Sequence, residues 1–257
     1  MNLIFNFPEL LKQSMTVVRF LTLLQIFCGL IIFVILFFIS APYGRYFKKD
    51  LTFSINAPTA WFIMEFPSLL IMLVMTIYNL NKASDCGTMI LAILWITHYF
   101  YRSIIYPFII KRSNPFPFFI ILFGFIFNIN NSFINSVYLF FSSREIDLIF
   151  IIGIILFISG FLIHFTSDLK LKRLRDEKEG YFIPEGLLFK FVSSPNYFGE
   201  IIEWIGFAIA SRTLAGFAFA LFTFANLAPR ALANHRWYRK NFANYPLNRK
   251  ALIPFIF

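Results

Sequence analysis

Apolar positions in this chain do not alternate with polar ones at the strand period of two. Nor do they form the narrow stripe of a soluble amphipathic helix; they run on almost unbroken. A helix that crosses a bilayer needs about 20 mostly apolar residues. Seven stretches approach that length, at roughly 17–40, 58–80, 88–110, 117–140, 148–167, 195–211 and 213–229. The last two are parted by a single strong break, Arg212. The pattern predicts an all-α polytopic membrane protein with seven transmembrane helices. The first run is long and lacks a small-residue cleavage site, so it reads as a retained span. The longest polar interval, SDLKLKRLRDEKEGYFIPEG at 167–186, begins as a helix leaving the membrane. Gly180, Pro184 and Gly186 then force a loop. The final NHRWYRKNFANYPLNRKALIPFIF is too polar at first to span, and its last residues, ALIPFIF, re-enter the protein or lie at the interface. No linker or repeat divides residues 1–257, which read as one membrane domain.

Composition agrees with lipid as the solvent. Hydrophobic residues make up 59% and charged residues 14%, where a soluble domain carries roughly a quarter charged. The net charge of +10 has an orientation. Lys and Arg collect in short cytoplasmic loops. With the C-terminus inside, Arg45, Lys48, Lys49, Lys111 and Arg112 are cytoplasmic, as are the basic residues from Lys170 to Lys190 and from Arg230 to Lys250. That is seventeen of the 23 basic residues. Lys12, Arg19, Lys82, Arg144 and Arg212 are the five outside, and Arg102 falls within a span. The N-terminus is therefore expected outside. Membrane orientation accounts for the charge, and no helix-turn-helix, zinc-finger or other nucleic-acid motif is present. The two cysteines, Cys28 in mid-span and Cys86 near a membrane face, are not expected to pair. No CxxC or His/Cys cluster suggests a metal.

Ionisable and amide groups at membrane depth cost about 2.5–3.5 kcal/mol each for a charge, and so are functional candidates. Glu65 lies in APTAWFIMEFPSLLIMLV. Tyr99, Arg102 and Tyr106, in THYFYRSIIYP, share one helix face by their spacing. His164 and Asp168 are four apart. Asn196, Glu200 and Glu203 also share a face. Each has a structural reading. Glu65 pairs with Arg102; Tyr99 and Tyr106 belong to an interfacial belt; His98 is a hydrogen-bonding core residue; Asp168 caps or pairs with the basic run after it; Asn196 caps a helix; Glu200 and Glu203 bond helices together. Together these groups imply an internal polar cavity.

At these residues the chain resembles a known family. SSPNYFGEIIEWIGFAIAS and HRWYRKNFANYPLNRKALIPFIF, with AWFIMEFPS, HYFYRSIIYP, NPFP and HFTSD in the same order before or between them, resemble the steroid 5-alpha-reductases. The resemblance runs from about Tyr43 to Phe257. It implies a seven-span enzyme of the endoplasmic reticulum or a bacterial inner membrane that uses NADPH to reduce the 4,5 double bond of 3-oxo-4-ene steroids. It implies Glu65 and Tyr99 as the catalytic pair that holds the 3-oxo group, with Trp61 and Met64 beside the substrate. It implies Tyr43, Asn131, Asp168, Arg175, Tyr181, Asn196, Glu200, Arg230 and Tyr238 around the cofactor, most of them in the C-terminal half, 146–257. Glu203, one turn on from Glu200, would support that set. No GxGxxG motif is present to mark a dinucleotide site. Three positions depart from the steroid enzymes: Met64 stands for Gln on the substrate side, and Asn114 for Arg and Asn234 for His on the nucleotide side.

The implied chemistry is coherent. When a β-carbon accepts hydride, charge develops on the enone oxygen, and donors aimed at that oxygen stabilise it. Tyr99 donates, and Glu65 donates when protonated. The expected partners are a lipophilic, steroid-like substrate arriving from the bilayer and the membrane lipid itself, with no nucleic acid and a monomeric chain. Two alternatives stay open: an NADPH-dependent reductase of another lipid alkene, polyprenol or enoyl, and an isoprenylcysteine-type methyltransferase, which shares a similar C-terminal region.

Overall fold

The computed structural model describes residues 7–47, 53–80, 85–110, 113–177 and 180–257, with side chains from residue 15. Lys48, Lys49, Lys82, Lys111, Arg112 and Lys178 and the side chain of Lys12, all part of the charge asymmetry, lie outside that set. The molecule is helical: α1 (Phe7–Phe38), α2 (Ala57–Asn79), α3 (Cys86–Phe100), a π-helical turn (Tyr101–Ile105), α4 (Tyr106–Ile109), α5 (Phe118–Phe140), α6 (Leu148–Glu177), α7 (Pro195–Ser211) and α8 (Leu214–Asn241). The π turn joins α3 and α4 into one rod, Cys86–Ile109. Among the described residues six helices are long and apolar enough to cross a bilayer. The predicted span at 195–211, α7, has only 17 residues, with Glu203 and Trp204 at its centre.

The boundaries follow local chemistry. Asn56 caps α2, its side chain accepting from Thr59 N at 3.0 Å. Asp85 caps α3, accepting from Thr88 N at 2.8 Å. Thr213 caps α8. The break at Arg212 is a left-handed residue, φ +52°, a conformation that ends helices. Arg212 also binds Asp147, whose other role is to accept from Phe150 N at 2.9 Å and so cap α6. The Arg212 hydrogen bond holds the Asp147 carboxyl down at about 2. Asn196 does not cap α7: Ser194 holds the cap position without a side-chain bond, and Asn196 lies inside the first turn. The polar interval behaves as predicted. The α6 helix runs past the membrane stretch to Glu177, and Gly180 and Gly186 take positive φ in the loop beyond it. A two-residue antiparallel pair, β1 (Ser54–Ile55) with β2 (Phe116–Pro117), ties the approach to α2 to the start of α5. The C-terminus does return: Lys250 bridges Val192, and Leu252 is buried with Ile201, Leu227, Ala228 and Ala231. Cys28 and Cys86 are free.

The closest helix pair is α6 with α7. Gly153 and Gly160 on α6 meet Gly206 and Gly199 on α7, in antiparallel register. A Cβ at Gly160 would stand 2.3 Å from Glu203 N and 2.5 Å from Gly199 O. Where lipid removes most of the hydrophobic drive, such small residues let backbones touch. Beside this seam lies an aromatic core of Trp95, Tyr99, Phe157, Trp204, Phe207 and Phe219. The opposite surfaces, rich in exposed Phe, Leu and Ile on α1, α2, α5 and α6, suit acyl chains.

Candidate active site

The α6–α7 seam and the α3 rod bring four ionisable groups into one buried line. Asp168 Oδ2 is 3.0 Å from His164 Nε2. His164 Nδ1 is 3.5 Å from Glu203 Oε2. Glu203 Oε1 is 2.7 Å from His98 Nδ1. Glu203 is fully buried, as its helix position beside Gly160 requires. A buried carboxylate is costly unless paired, and here two imidazoles pair it. The donor atoms of His98, His164 and Glu203 lie within 4.8 Å of one another, a composition that also suits a metal. The 2.7 Å contact of His98 with Glu203 is an imidazole–carboxylate hydrogen bond, and His164 approaches the same carboxylate to 3.5 Å without bonding it. His98 is thus the hydrogen-bonding core residue expected. Its partner, Glu203, is expected from the sequence to bond helices together or support the cofactor set, but His98 is not legible as that partner, since 105 residues separate the two.

Glu65 on α2 and Arg102 in the π turn approach to 3.8 Å, so the expected ion pair forms, loosely. Arg102 is not committed to Glu65. Its guanidinium lies 4.2 Å over Trp61 and 4.6 Å over Tyr106, 3.5 Å from His164 Nε2, and among Glu200, Glu65 and Asp168 as charged neighbours. The π turn adds a residue to the helical cycle just where Arg102 must aim inward, and such turns recur at functional sites. Tyr99, one turn earlier, is buried, with Glu65, Ser68 and Asn131 among the polar groups around it. The two residues expected as a pair, 34 apart in sequence, are therefore neighbours. Trp61 stacks edge-on to Tyr106 and Phe116. Met64 is buried, its sulfur against Gly124.

From Arg102 the polar line continues away from the aromatic core. Glu200 is 3.9 Å from His164 Nε2. Asn196 Nδ2 donates to Asp168 Oδ1 at 3.3 Å, and Tyr101 OH donates to Asp168 Oδ2 at 3.2 Å. Arg230 on α8 lies 4.8 Å over the Tyr43 ring and donates to Tyr197 OH at 2.9 Å. Burial pushes the Tyr43 hydroxyl up to about 12, so it stays a donor. Beyond it, Arg45 lies over the rings of Tyr181, Trp237 and Tyr238 at 5.2, 4.7 and 4.6 Å. Arg45 and Tyr238 line a cavity of about 50 Å³ with Arg175 and Tyr181. Arg45 Nη2 donates to Tyr238 OH at 3.3 Å, while its Nη1 is buried without a partner. By sequence Arg45 contributes only to orientation; its place between two aromatic residues, in YGRY, is the local signal of a further role.

Of the eleven residues expected at the catalytic and cofactor sites, ten fall along this line, from Tyr99 and Glu65 to Arg175, Tyr181 and Tyr238. Asn131 stands apart from the cofactor group. It is on α5, fully buried, and bonded to Gln25 of α1 and Asn135. The departures have structural partners: Asn114 Nδ2 donates to Gly44 O at 2.7 Å, and Asn234 Nδ2 to Ser194 Oγ at 3.4 Å.

Comparison with known proteins gives one answer. Residues 114–257 match the family model described as 3-oxo-5-alpha-steroid 4-dehydrogenase. The chain is 38% identical over 248 residues to 3-oxo-5-alpha-steroid 4-dehydrogenase 1 of Bos taurus, covering 92% of this chain and 95% of that one. It is 39% identical over 256 residues to steroid 5-alpha-reductase DET2 of Arabidopsis thaliana, covering 94% and 97%. It is 37% identical over 228 residues to the type 1 dehydrogenase of Homo sapiens, covering 85% and 87%.

Proposed function

The chain belongs to the 3-oxo-5-alpha-steroid 4-dehydrogenase family, and from that premise we propose that it reduces the 4,5 double bond of a 3-oxo-4-ene steroid within the membrane, with NADPH as reductant. The enzyme class, an oxidoreductase acting on CH–CH groups, follows from the family. The observation that carries the finer reading is the polar line itself. At one end Tyr99 and Glu65 share one buried neighbourhood beside an aromatic core; at the other, arginines stand among tyrosines.

The residues present fit a dinucleotide phosphate. Three guanidiniums, of Arg45, Arg175 and Arg230, suit its phosphates, and the unpartnered Nη1 of Arg45 has a donor to spare. Tyr181, Trp237 and Tyr238 offer ring faces for a base. Asn196 and Glu200 supply amide and carboxylate partners for a carboxamide, oriented by Asp168 and His164. Bound there, NADPH would supply the hydride. The protein's own part is to bind and to stabilise charge. Tyr99 donates to the steroid's 3-oxo oxygen, and Glu65, protonated, donates to the same atom. Both are held where charge grows, in a site walled from water by Trp95, Trp204 and Phe219. Arg102, shared among several acceptors, neighbours Glu65 without locking it. Glu203 fixes His98, next to Tyr99, against the α6–α7 seam.

In this reading the substrate enters from the bilayer and the cofactor from the cytoplasm, with the N-terminus outside and the C-terminus inside. The chain, one domain over 1–257, acts as a monomer in the endoplasmic reticulum or a bacterial inner membrane. A second reading, reduction of another lipid alkene, is favoured at one position: Met64 puts a thioether, buried against Gly124, where the steroid enzymes carry an amide. The test is NADPH consumption by the protein in lipid nanodiscs against 3-oxo-4-ene steroids, polyprenols and enoyl lipids. A 5-alpha-reduced steroid as the best product supports the first reading. Turnover of polyprenol or enoyl lipid alone moves it to the second. S-adenosylmethionine binding with no NADPH binding overturns both.

A further inference from the structure

We infer that the end of α1 and the last turns of α8 form a binding site for one anionic phospholipid, with its phosphate held by Arg236 and Lys240. The two helices run side by side in the same direction. Gly29 lies against Phe222, and Phe33 stacks on Phe224 with ring centroids 6.1 Å apart. Past these contacts they enclose a cavity of about 270 Å³, between 36–40 on one side and 229–240 on the other. That is about nine times a water's share of liquid volume. It has room for a headgroup and the first carbons of its chains, not for a whole lipid.

The lining changes character along α8 as a lipid does along its length. Leu36, Phe37 and Leu232 make one half apolar, and Phe38 beside them is 84% exposed, so this half is open to acyl chains. Arg236, Trp237 and Lys240 make the other half, with Tyr46 also on the lining. Trp and Tyr settle at headgroup depth in membrane proteins. Leu232 and Lys240 are about 12 Å apart along the helix. That is enough to run from hydrocarbon through a headgroup layer about 5–7 Å thick.

Arg236 and Lys240, four apart, stand on one face of α8. Among the described residues neither forms an ion pair. A cation in the last turn complements the helix dipole, which accounts for Arg239 and Lys240 but not for Arg236, which lies before that turn. Two cations without a carboxylate partner, at the mouth of an apolar cleft, select a negative head on a greasy tail. A free phosphate would use the basic half alone and leave Leu36, Phe37 and Leu232 unused. Nor is this the cofactor line. Arg230 and Tyr238 face that line, whereas Pro229, Ala233, Arg236 and Lys240 line the cavity from the neighbouring face of α8.

The experiment is native mass spectrometry of the full chain, released from detergent with equal phosphatidylglycerol and phosphatidylcholine present. The wild type should retain one phosphatidylglycerol in preference to phosphatidylcholine. Arg236→Gln with Lys240→Gln should reduce that preference about thirtyfold, the scale for two basic residues at an anionic lipid surface. Arg173→Gln with Lys190→Gln removes the same charge from exposed positions off the cavity and should leave the preference intact. Leu232→Trp fills the apolar half, keeps both cations, and should abolish retention; it decides the matter if the Arg236 and Lys240 variant does not fold. Equal retention of the two lipids by the wild type overturns the inference. An equal loss in the Arg173 and Lys190 variant also overturns it, since that is bulk charge attraction. Displacement of the lipid by inorganic phosphate overturns the choice of a lipid. Displacement by NADPH overturns the separation from the cofactor line.

Discussion

Gly160→Ala tests whether the α6–α7 seam sets the site. The added Cβ would stand 2.3 Å from Glu203 N, 2.5 Å from Gly199 O and 2.7 Å from Glu203 Cα. Ordinary contact begins at 3.4 Å, so the nearest atom is about 1 Å too close. All three neighbours are backbone, and no side chain can swing away to relieve them. The helices must part by about that distance. Overpacking of this kind costs about 1–3 kcal/mol. The larger effect is on the site. His164 and Glu203 approach as a charge pair at 3.5 Å across this seam, and Asn196 donates to Asp168 across it at 3.3 Å. Another ångström breaks both contacts. Misplacement on that scale can cost about a hundredfold in rate. Gly29→Ala is the control, since its Cβ would meet the Phe222 side chain at 3.3 Å and little else. The assay is thermal unfolding in nanodiscs together with steroid turnover at saturating NADPH. Gly160→Ala should lose stability and most of its kcat, and Gly29→Ala little of either. A Gly160→Ala protein with the wild-type midpoint and rate would refute the reasoning, as would a control that is equally damaged.

Glu65→Gln and Tyr99→Phe should each lower turnover by about a hundredfold, the scale of one lost oxyanion donor, with NADPH binding intact. Their combination should cost less than the sum, because they serve one oxygen. If Glu65→Gln instead lowers stability, with activity falling in proportion to folded protein, the Arg102 ion pair is its whole role. Arg175→Ala, Asn196→Ala and Glu200→Ala should each weaken NADPH binding in fluorescence titrations, Arg175→Ala more than it lowers kcat; unchanged affinity in all three removes them from the cofactor site. A free tyrosine ionises near pH 10. Burial holds Tyr43 up to about 12, so NADPH affinity should show no alkaline limb from Tyr43 between about pH 8 and 10; such a limb, lost in Tyr43→Phe, would contradict its placement. A reporter fused after Phe257 should be active in the cytoplasm, and activity on the other side would reverse the proposed orientation.

The sequence by itself determined the helices and where most of them end. Runs of apolar residues have no soluble alternative. Asn56, Asp85 and Thr213 cap α2, α3 and α8 by local hydrogen bonds, and Arg212 divides α7 from α8 with its own backbone angle. The family and its reaction class were also legible, because FGEIIEW and RKALIPFIF are local strings. What the sequence left open was which polar groups meet. Glu203 had an assigned neighbourhood but no partner, since His98 lies 105 residues away. The glycine pairs of α6 and α7 look ordinary until the two helices are laid antiparallel and their backbones touch. The Glu65–Arg102 pair and the Glu65–Tyr99 pair competed as readings; packing brings Arg102 within 3.8 Å of the carboxylate and sets Tyr99, on the same rod, in its neighbourhood. Gln25 is a lone amide in a greasy helix with nothing local to explain it, until α1 lies against α5. Local propensity and hydropathy act over a few residues and can be read in one dimension. Pairing of buried polar groups is decided by which backbones approach closely enough, and that is a property of the packed helices alone.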